Sequence, residues 1–332
     1  MLGQNSHRAK VIVGVIVCCM FSTLSLLAII NRQLIVDQFV VWRFKTTPEV
    51  IGLVERAGMN EYGKFLYLAS EPQLVSTQKF NDDCQRTESV ISILGCFKDG
   101  RIYLYDVTDE TLDGIREVTA THEALHAVYA RMGDGEKAKI DALIEVTYKN
   151  LKNIAQYSEI MEFYAKSEPG QRDNELHSII GTEIKDINPE LEVHYSKYFH
   201  DRQKVVVLNA KYKGVFAVLN DKAKSLMSQM SDISSHMVSR VDKYNSDTLV
   251  LYQDIAAFNS KTNSGGFTTE YQFTAARNLL VKRIDDLEGV RVAIQNDIAT
   301  YNRLIKEYNA IETESKKLSN SIDSTLAPAP SV

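Results

Sequence analysis

The residues of this chain best suited to chemistry are His122-Glu123-Ala124-Leu125-His126. Residues four apart on an α-helix share a face, so the two imidazoles converge on one point with Glu123 beside them. Two converging histidine nitrogens and a neighbouring carboxylate suit a zinc ion and a water molecule. The run from Ile115 to Met132 reads as the helix that carries them, and Gly133 stops it.

A zinc ion that does catalysis is usually held by three protein ligands, with one position left open. The segment from Asn174 to Glu183 offers three partners for the histidine pair: Glu175, His177 and Glu183. On a helical wheel with Glu175 at the origin, Ser178, Ile179 and Thr182 fall within about 60°, His177 points about 160° away and Glu183 about 80°. Glu175 therefore centres a face that His177 cannot join. Glu183 is the alternative third ligand, reachable if the helix bends at Gly181.

Glu175 follows His126 by forty-nine residues, within Asn174-Glu175-x-x-Ser178. HExxH followed by such a helix resembles the gluzincin metallopeptidases, whose thermolysin-like members carry HExxH and a later NExxSD. The resemblance implies His122, His126 and Glu175 as zinc ligands and Glu123 as general base. The reaction it implies is hydrolysis of a peptide or protein substrate by a zinc-activated water. The chain departs from that pattern at Ile179, where the family has an aspartate that orients a zinc histidine. The resemblance covers roughly Lys64 to Phe199. Ala127 to Gly133 hold no third histidine, which disfavours the metzincin class.

Several elements have to position these groups. Thr47-Pro48-Glu49 opens a short helix that Gly58 closes. Strands are expected over Lys64–Ser70, Ser89–Phe97 and Arg101–Val107, the last two joined by a turn at Lys98-Asp99-Gly100. In peptidases of this type an edge strand pairs with the extended substrate. Further helices are expected over Glu136–Asn153 and Ser158–Lys166. Asp106 and Asp109 read as caps, and Tyr195, Tyr198, His194 and Arg202 as a packed junction rather than oxyanion donors.

Long helix is expected from Pro189. One apolar seam runs from Leu208 through Leu226 and Leu251 to Phe258. A second runs from Phe273 through Ile284 and Ile298 to Tyr308, with Lys222, Arg277 and Arg291 on seam positions. Joined at Gly265-Gly266, the two seams read as an antiparallel coiled-coil hairpin, a candidate site for a protein partner.

Val11 to Ile30 is twenty residues without a charge, enough to span a bilayer, with no clear cleavage site after it. It reads as an uncleaved single-pass anchor. Asn31 to Lys45 is too apolar for a free linker and reads as an interfacial or docking helix. Cys84 and Cys96 fit either a disulfide in an oxidising compartment or two unpaired core thiols. The disulfide favours an extracytoplasmic body at the cell membrane. The net charge of −5 gives no footprint for nucleic acid.

The expected fold class is α+β: a small zincin-like sheet with helices, preceded by one transmembrane helix and followed by the hairpin. The boundaries are 1–10 tail, 11–30 anchor, 31–62 juxtamembrane helical segment, 63–199 metallopeptidase domain, 200–318 hairpin and 319–332 disordered tail. The alternative function is a non-catalytic membrane-tethered coiled-coil interaction protein with an inactive or structural zinc domain.

Overall fold

The structure, a computed structural model, describes residues 2–84, 93–167 and 170–325. Helix α1 (Leu2–Ile30) carries the apolar run, and a break at Asn31 leads into α2 (Arg32–Arg43). Among the described residues no single helix is long and apolar enough to cross a membrane. Ile16–Ile30 and Arg32–Arg43 have that length and composition only together, with a bend of 72° between them.

Thr47 Oγ1 accepts from the Val50 N–H and Pro48 fills the first turn of α3 (Pro48–Arg56). The strand expected over Lys64–Ser70 is instead helix α4 (Glu61–Leu68). Asn60 Oδ1 accepts from the N–H of both Tyr62 and Gly63, and this cap starts a helix that buries Leu66 and Tyr67.

Three short strands form the sheet: β1 (Gln73–Val75), β2 (Gly95–Lys98) and β3 (Arg101–Tyr105), in the order β1-β3-β2. β1 runs parallel to β3 with Leu74 opposite Leu104. β2 runs antiparallel with Cys96 opposite Tyr103, around Asp99 and Gly100, both at positive φ. The expected hairpin is therefore present. Residues 89–92 of the strand expected there lie outside the described residues. Helix α5 (Thr77–Asp83) lies between β1 and β2 in the chain.

Helix α6 (Ile115–Arg131) runs through the core, followed by α7 (Asp134–Leu151), α8 (Ala155–Ser167), α9 (Arg172–Glu183) and α10 (Pro189–Tyr195). Leu125 of α6 and Leu176 and Ile180 of α9 are fully buried, each contributing about 1.5–3 kcal/mol of apolar transfer. A Cβ at Gly181 would lie 2.4 Å from Leu125 Cδ1, so glycine lets α9 press against α6.

Helix α11 (Gln203–Asn263) begins only after a break that follows α10, which corrects the unbroken helix expected from Pro189. The chain divides into two compact units, Met1–Val215 with Leu318–Val332, and Phe216–Lys317. Val50, Leu53, Val54 and Ala57 of α3 belong to the same core as α6. The core around the HExxH helix therefore includes α3, which precedes residue 63.

In the second unit, α11 and α12 (Glu270–Ser321) pair through Arg240 with Asp297 and Arg283 with Asp254. Moving fourteen residues forward from Arg240 to Asp254 moves fourteen back from Asp297 to Arg283, which is antiparallel register. Phe258, Phe267 and Phe273 meet at the turn, their centroids 5.3 to 5.5 Å apart. Ile284 and Ile298, expected in the seam, are exposed, as are Lys222, Arg277 and Arg291. The seam instead takes their neighbours Arg283 and Asp297, whose charges are met across the hairpin.

The tail expected to be disordered from Ser319 is partly ordered. α12 runs to Ser321, and Ser324 is buried in the first unit, where its carbonyl accepts from Asn81 Nδ2 at 2.7 Å and its hydroxyl donates to the Ile93 carbonyl at 2.9 Å. Residues 326–332 lie outside the described residues.

Candidate metal centre

Helix α6 places His122 and His126 one turn apart, with their Nε2 atoms 3.1 Å from each other. His122, Glu123 and His126 each offer a ligand atom, all within 4.8 Å of one another, and this group could hold a metal ion. Glu175 enters from α9, the helix packed against α6. Its carboxylate oxygens lie 3.5 Å from His122 Nε2 and 3.3 Å from His126 Nε2.

The donor set can be tested against zinc. Tetrahedral ligands at about 2.0–2.1 Å from a common ion stand ~3.3 Å from one another. The 3.1 Å between the two imidazole nitrogens matches that edge length, Glu175 faces each ring with a different oxygen, Oε1 towards His122 and Oε2 towards His126, and two imidazoles with a carboxylate are chemistry zinc accepts. The side chains of His122 and His126 are 19% and 14% exposed, so solvent reaches the centre.

Asn174 precedes Glu175 and fixes the other side of the second ring. Its Oδ1 lies 2.9 Å from His126 Nδ1, while its amide donates to Gln171 Oε1. With Nδ1–H directed at this acceptor, Nε2 is the nitrogen left to face Glu175. Ile179, on the same face of α9 as Glu175, is buried in the core and offers no acceptor. Asn174 supplies the orienting acceptor from the opposite end of the motif.

Electrostatics set these groups apart. Burial lifts the Glu123 carboxyl above the ordinary range and the Glu175 charge adds to this, against the pull of the two imidazoles. Burial also works against the charge of Glu175, but His122 and His126 outweigh it and hold this carboxylate well below the ordinary range. Burial lowers His126, and the contacts with Glu175 and Glu123 more than reverse the effect, raising it to about 9. One carboxylate is thus kept as an anion between two imidazoles, while the other is tuned as a stronger base.

β2 closes one side of the centre at Gly95. A Cβ there would lie 2.7 Å from both Cγ and Oε1 of Glu123 and 2.8 Å from Thr119 Cγ2. The strand can pass this close to Glu123 only without a side chain. The next residue, Cys96, is disulfide-bonded to Cys84 with Cα atoms 6.0 Å apart, which ties β2 to the end of α5.

No protein-family model, curated protein or solved structure matches the chain.

The remaining candidates lie elsewhere. Glu183 accepts from Tyr157 Oη at 3.2 Å and from Lys213 Nζ at 2.7 Å, so the alternative third ligand is committed to other partners. His177 points away from Glu175, its Nε2 3.0 Å from His194 Nε2. Burial and the neighbouring imidazoles keep His177 far below its ordinary range, and burial with Lys197 brings His194 down to about 4, so this is a neutral pair. Tyr195 Oη donates to the His177 carbonyl. Arg202 donates to the carbonyls of Ile180, Gly181, Ile184 and Lys185, capping the C-terminus of α9. Asp109 caps the turn through the Thr111 N–H, and Asp106 pairs with Arg116.

Gly95 and the His177–His194 pair escape sequence reasoning because long-range packing defines them. A glycine inside a strand signals close approach without saying to what.

Proposed function

We propose that the chain is a membrane-anchored zinc metallopeptidase of gluzincin-like type that hydrolyses peptide bonds in a peptide or protein substrate. The observation that carries this reading is Glu175, whose carboxylate stands 3.5 and 3.3 Å from the two Nε2 atoms of the HExxH pair. Zinc, held by His122, His126 and Glu175, would supply a Lewis acid for the scissile carbonyl and the attacking water.

Glu123 takes the proton from the attacking water and returns it to the leaving amine, a role that its burial favours by strengthening it as a base. Asn174 engages Nδ1, so that Nε2 is the nitrogen His126 would present to a metal. Gly95 lets the edge strand β2 lie against Glu123, and an extended substrate added to that edge brings its backbone to the base. The Cys84–Cys96 disulfide supports an extracytoplasmic body, where thiols are oxidised. The apolar run Val11–Ile30 supports the anchor.

The test is zinc content and peptide cleavage by the full chain and by Glu123→Gln. The expected result is one zinc per chain in both, with cleavage only by the wild type. Protein that binds no metal sinks the reading. Protein that binds zinc yet cleaves nothing in a broad peptide mixture is the non-catalytic tether.

A further inference from the structure

The residues of α2 have two different surroundings. Asp37 is 3% exposed and its carboxylate accepts two hydrogen bonds from Arg131 in the last turn of α6, Nε to Oδ2 and Nη2 to Oδ1, each 2.9 Å. Gln33 Nε2 donates to the same carboxylate at 3.0 Å, and Arg43 pairs with Glu71 at 3.6 Å. On the other side, Leu34, Ile35, Phe39 and Trp42 are all exposed, Trp42 by 78%, with Gln38 the one polar side chain among them. With Leu34 at the origin of a helical wheel these five span about 140°, and Asp37 stands near 300°. So wide an apolar stripe normally faces a core. Here it faces away from the body that Asp37 clamps.

The neighbouring chain narrows what can cover that face. α1 precedes α2 with one residue between them, and Phe21, Leu24, Leu27, Ile29 and Ile30 on it are exposed as well. The 72° bend means that if α1 crosses a bilayer, α2 runs close to the bilayer plane. Arg32, Arg43 and Lys45 stand at the two ends of α2, where cationic heads reach phosphates, and Trp42 has the amphipathic ring that favours the headgroup level. A protein partner would have to cover both helices across that bend, whereas a single lipid phase satisfies both.

We infer that α2 lies in the lipid–water interface of a glycerophospholipid bilayer, with Leu34, Ile35, Phe39 and Trp42 in the acyl boundary and Asp37 docking the HExxH helix onto it. The inference rests on the membrane-anchored reading above. His126 and Arg131 are about 7.5 Å apart along α6, so the metal centre is held close to the membrane surface.

Trp42 is the only tryptophan in the chain, so its emission reports on this face alone. The full chain is reconstituted in vesicles of phosphatidylcholine and phosphatidylglycerol brominated either near the headgroup or near the terminal methyl. Flotation is measured alongside. The expected result is co-flotation, blue-shifted emission, and roughly twofold stronger quenching by the shallow bromines than by the deep ones, as for a ring 5–10 Å below the headgroups. Replacing Ile35 and Phe39 by serine, both exposed and outside the fold's core, should leave flotation intact and remove that difference.

A chain that floats while Trp42 stays open to aqueous iodide overturns the inference and leaves the anchor standing. A chain that floats with Trp42 shielded from both iodide and bromine also overturns it, because protein then covers α2. A chain that does not float removes the anchor and the inference together.

Discussion

Gly95→Ala probes the contact between the edge strand and Glu123, the proposed base, most directly. The added methyl would sit 2.7 Å from Glu123 Cγ and Oε1 and 2.8 Å from Thr119 Cγ2, where apolar contact needs about 3.5–4.0 Å. Something must therefore move by about 1 Å. Thr119 is restrained by its hydroxyl, which donates to the Ile115 carbonyl at 2.8 Å, and β2 is held by its ladder to β3 and by the Cys84–Cys96 disulfide. Glu123 is the element left to yield. A displacement of that size in a reacting group costs on the order of 100-fold in turnover, or about 2.7 kcal/mol of barrier. The three atoms nearest the new methyl belong to Glu123 and Thr119 and none to His122, His126 or Glu175, so zinc content should be unchanged. The assay pairs steady-state peptide cleavage with metal analysis of the same protein. Undiminished turnover, or zinc lost together with turnover, refutes the placement of Gly95.

Three further outcomes follow from the same geometry. Asn174→Leu should weaken zinc binding by about 10–100-fold in competition with a chromophoric chelator, because the His126 tautomer is no longer fixed; unchanged affinity would remove Asn174 from the site. Asp37→Asn should lower stability in urea by about 3–5 kcal/mol by leaving Arg131 largely buried without its counter-charge, whereas Asp37→Leu with Arg131→Met should recover most of it; equal losses would mean that packing, not charge, holds α2. His194 has a folded pKa of about 4 against an ordinary 6.5, so the unfolded chain binds the proton first as pH falls. Stability from this group is full above pH 6.5 and declines by up to about 3 kcal/mol by pH 4, and His194→Gln should flatten that part of the acid unfolding curve.

Local rules read part of this molecule well. The HExxH helix was legible because a four-residue spacing fixes a face whatever the tertiary context. The helical wheel separates Glu175 from His177 and Glu183, and the structure sets its carboxylate beside the two imidazoles while those two residues pair elsewhere, with His194 and with Tyr157 and Lys213. The misreading at Lys64–Ser70 has a local cause: Phe65, Leu66 and Tyr67 have strand character, but the Asn60 cap upstream had already started a helix. In α12 the rule that picks apolar seam residues chose Ile284 and Ile298 and so missed Arg283 and Asp297 by one position. A charged residue belongs in a seam only when its partner lies opposite, and no single helix reveals that partner.

The features hidden from the sequence all join distant segments around α6. Gly95 meets Glu123 across the sheet–helix contact, Asn174 orients His126 from another helix, and Asp37 reaches the end of α6 over ninety-four residues. Each acts on a different part of the same helix. β2 bears on the base, α9 on the ligands, and α2 on the C-terminal turn. A helix so buried cannot readily shift under load, because its neighbours are close-packed and its charged ends are already paired, Glu117 with Arg56 near the start and Arg131 with Asp37 at the finish. Rigid placement of Glu123, His122, His126 and Glu175 is what the proposed hydrolytic centre would require. The cost falls on the sequence: a glycine where a strand would gain from a side chain, and an inward-facing aspartate on a helix that is otherwise mainly apolar.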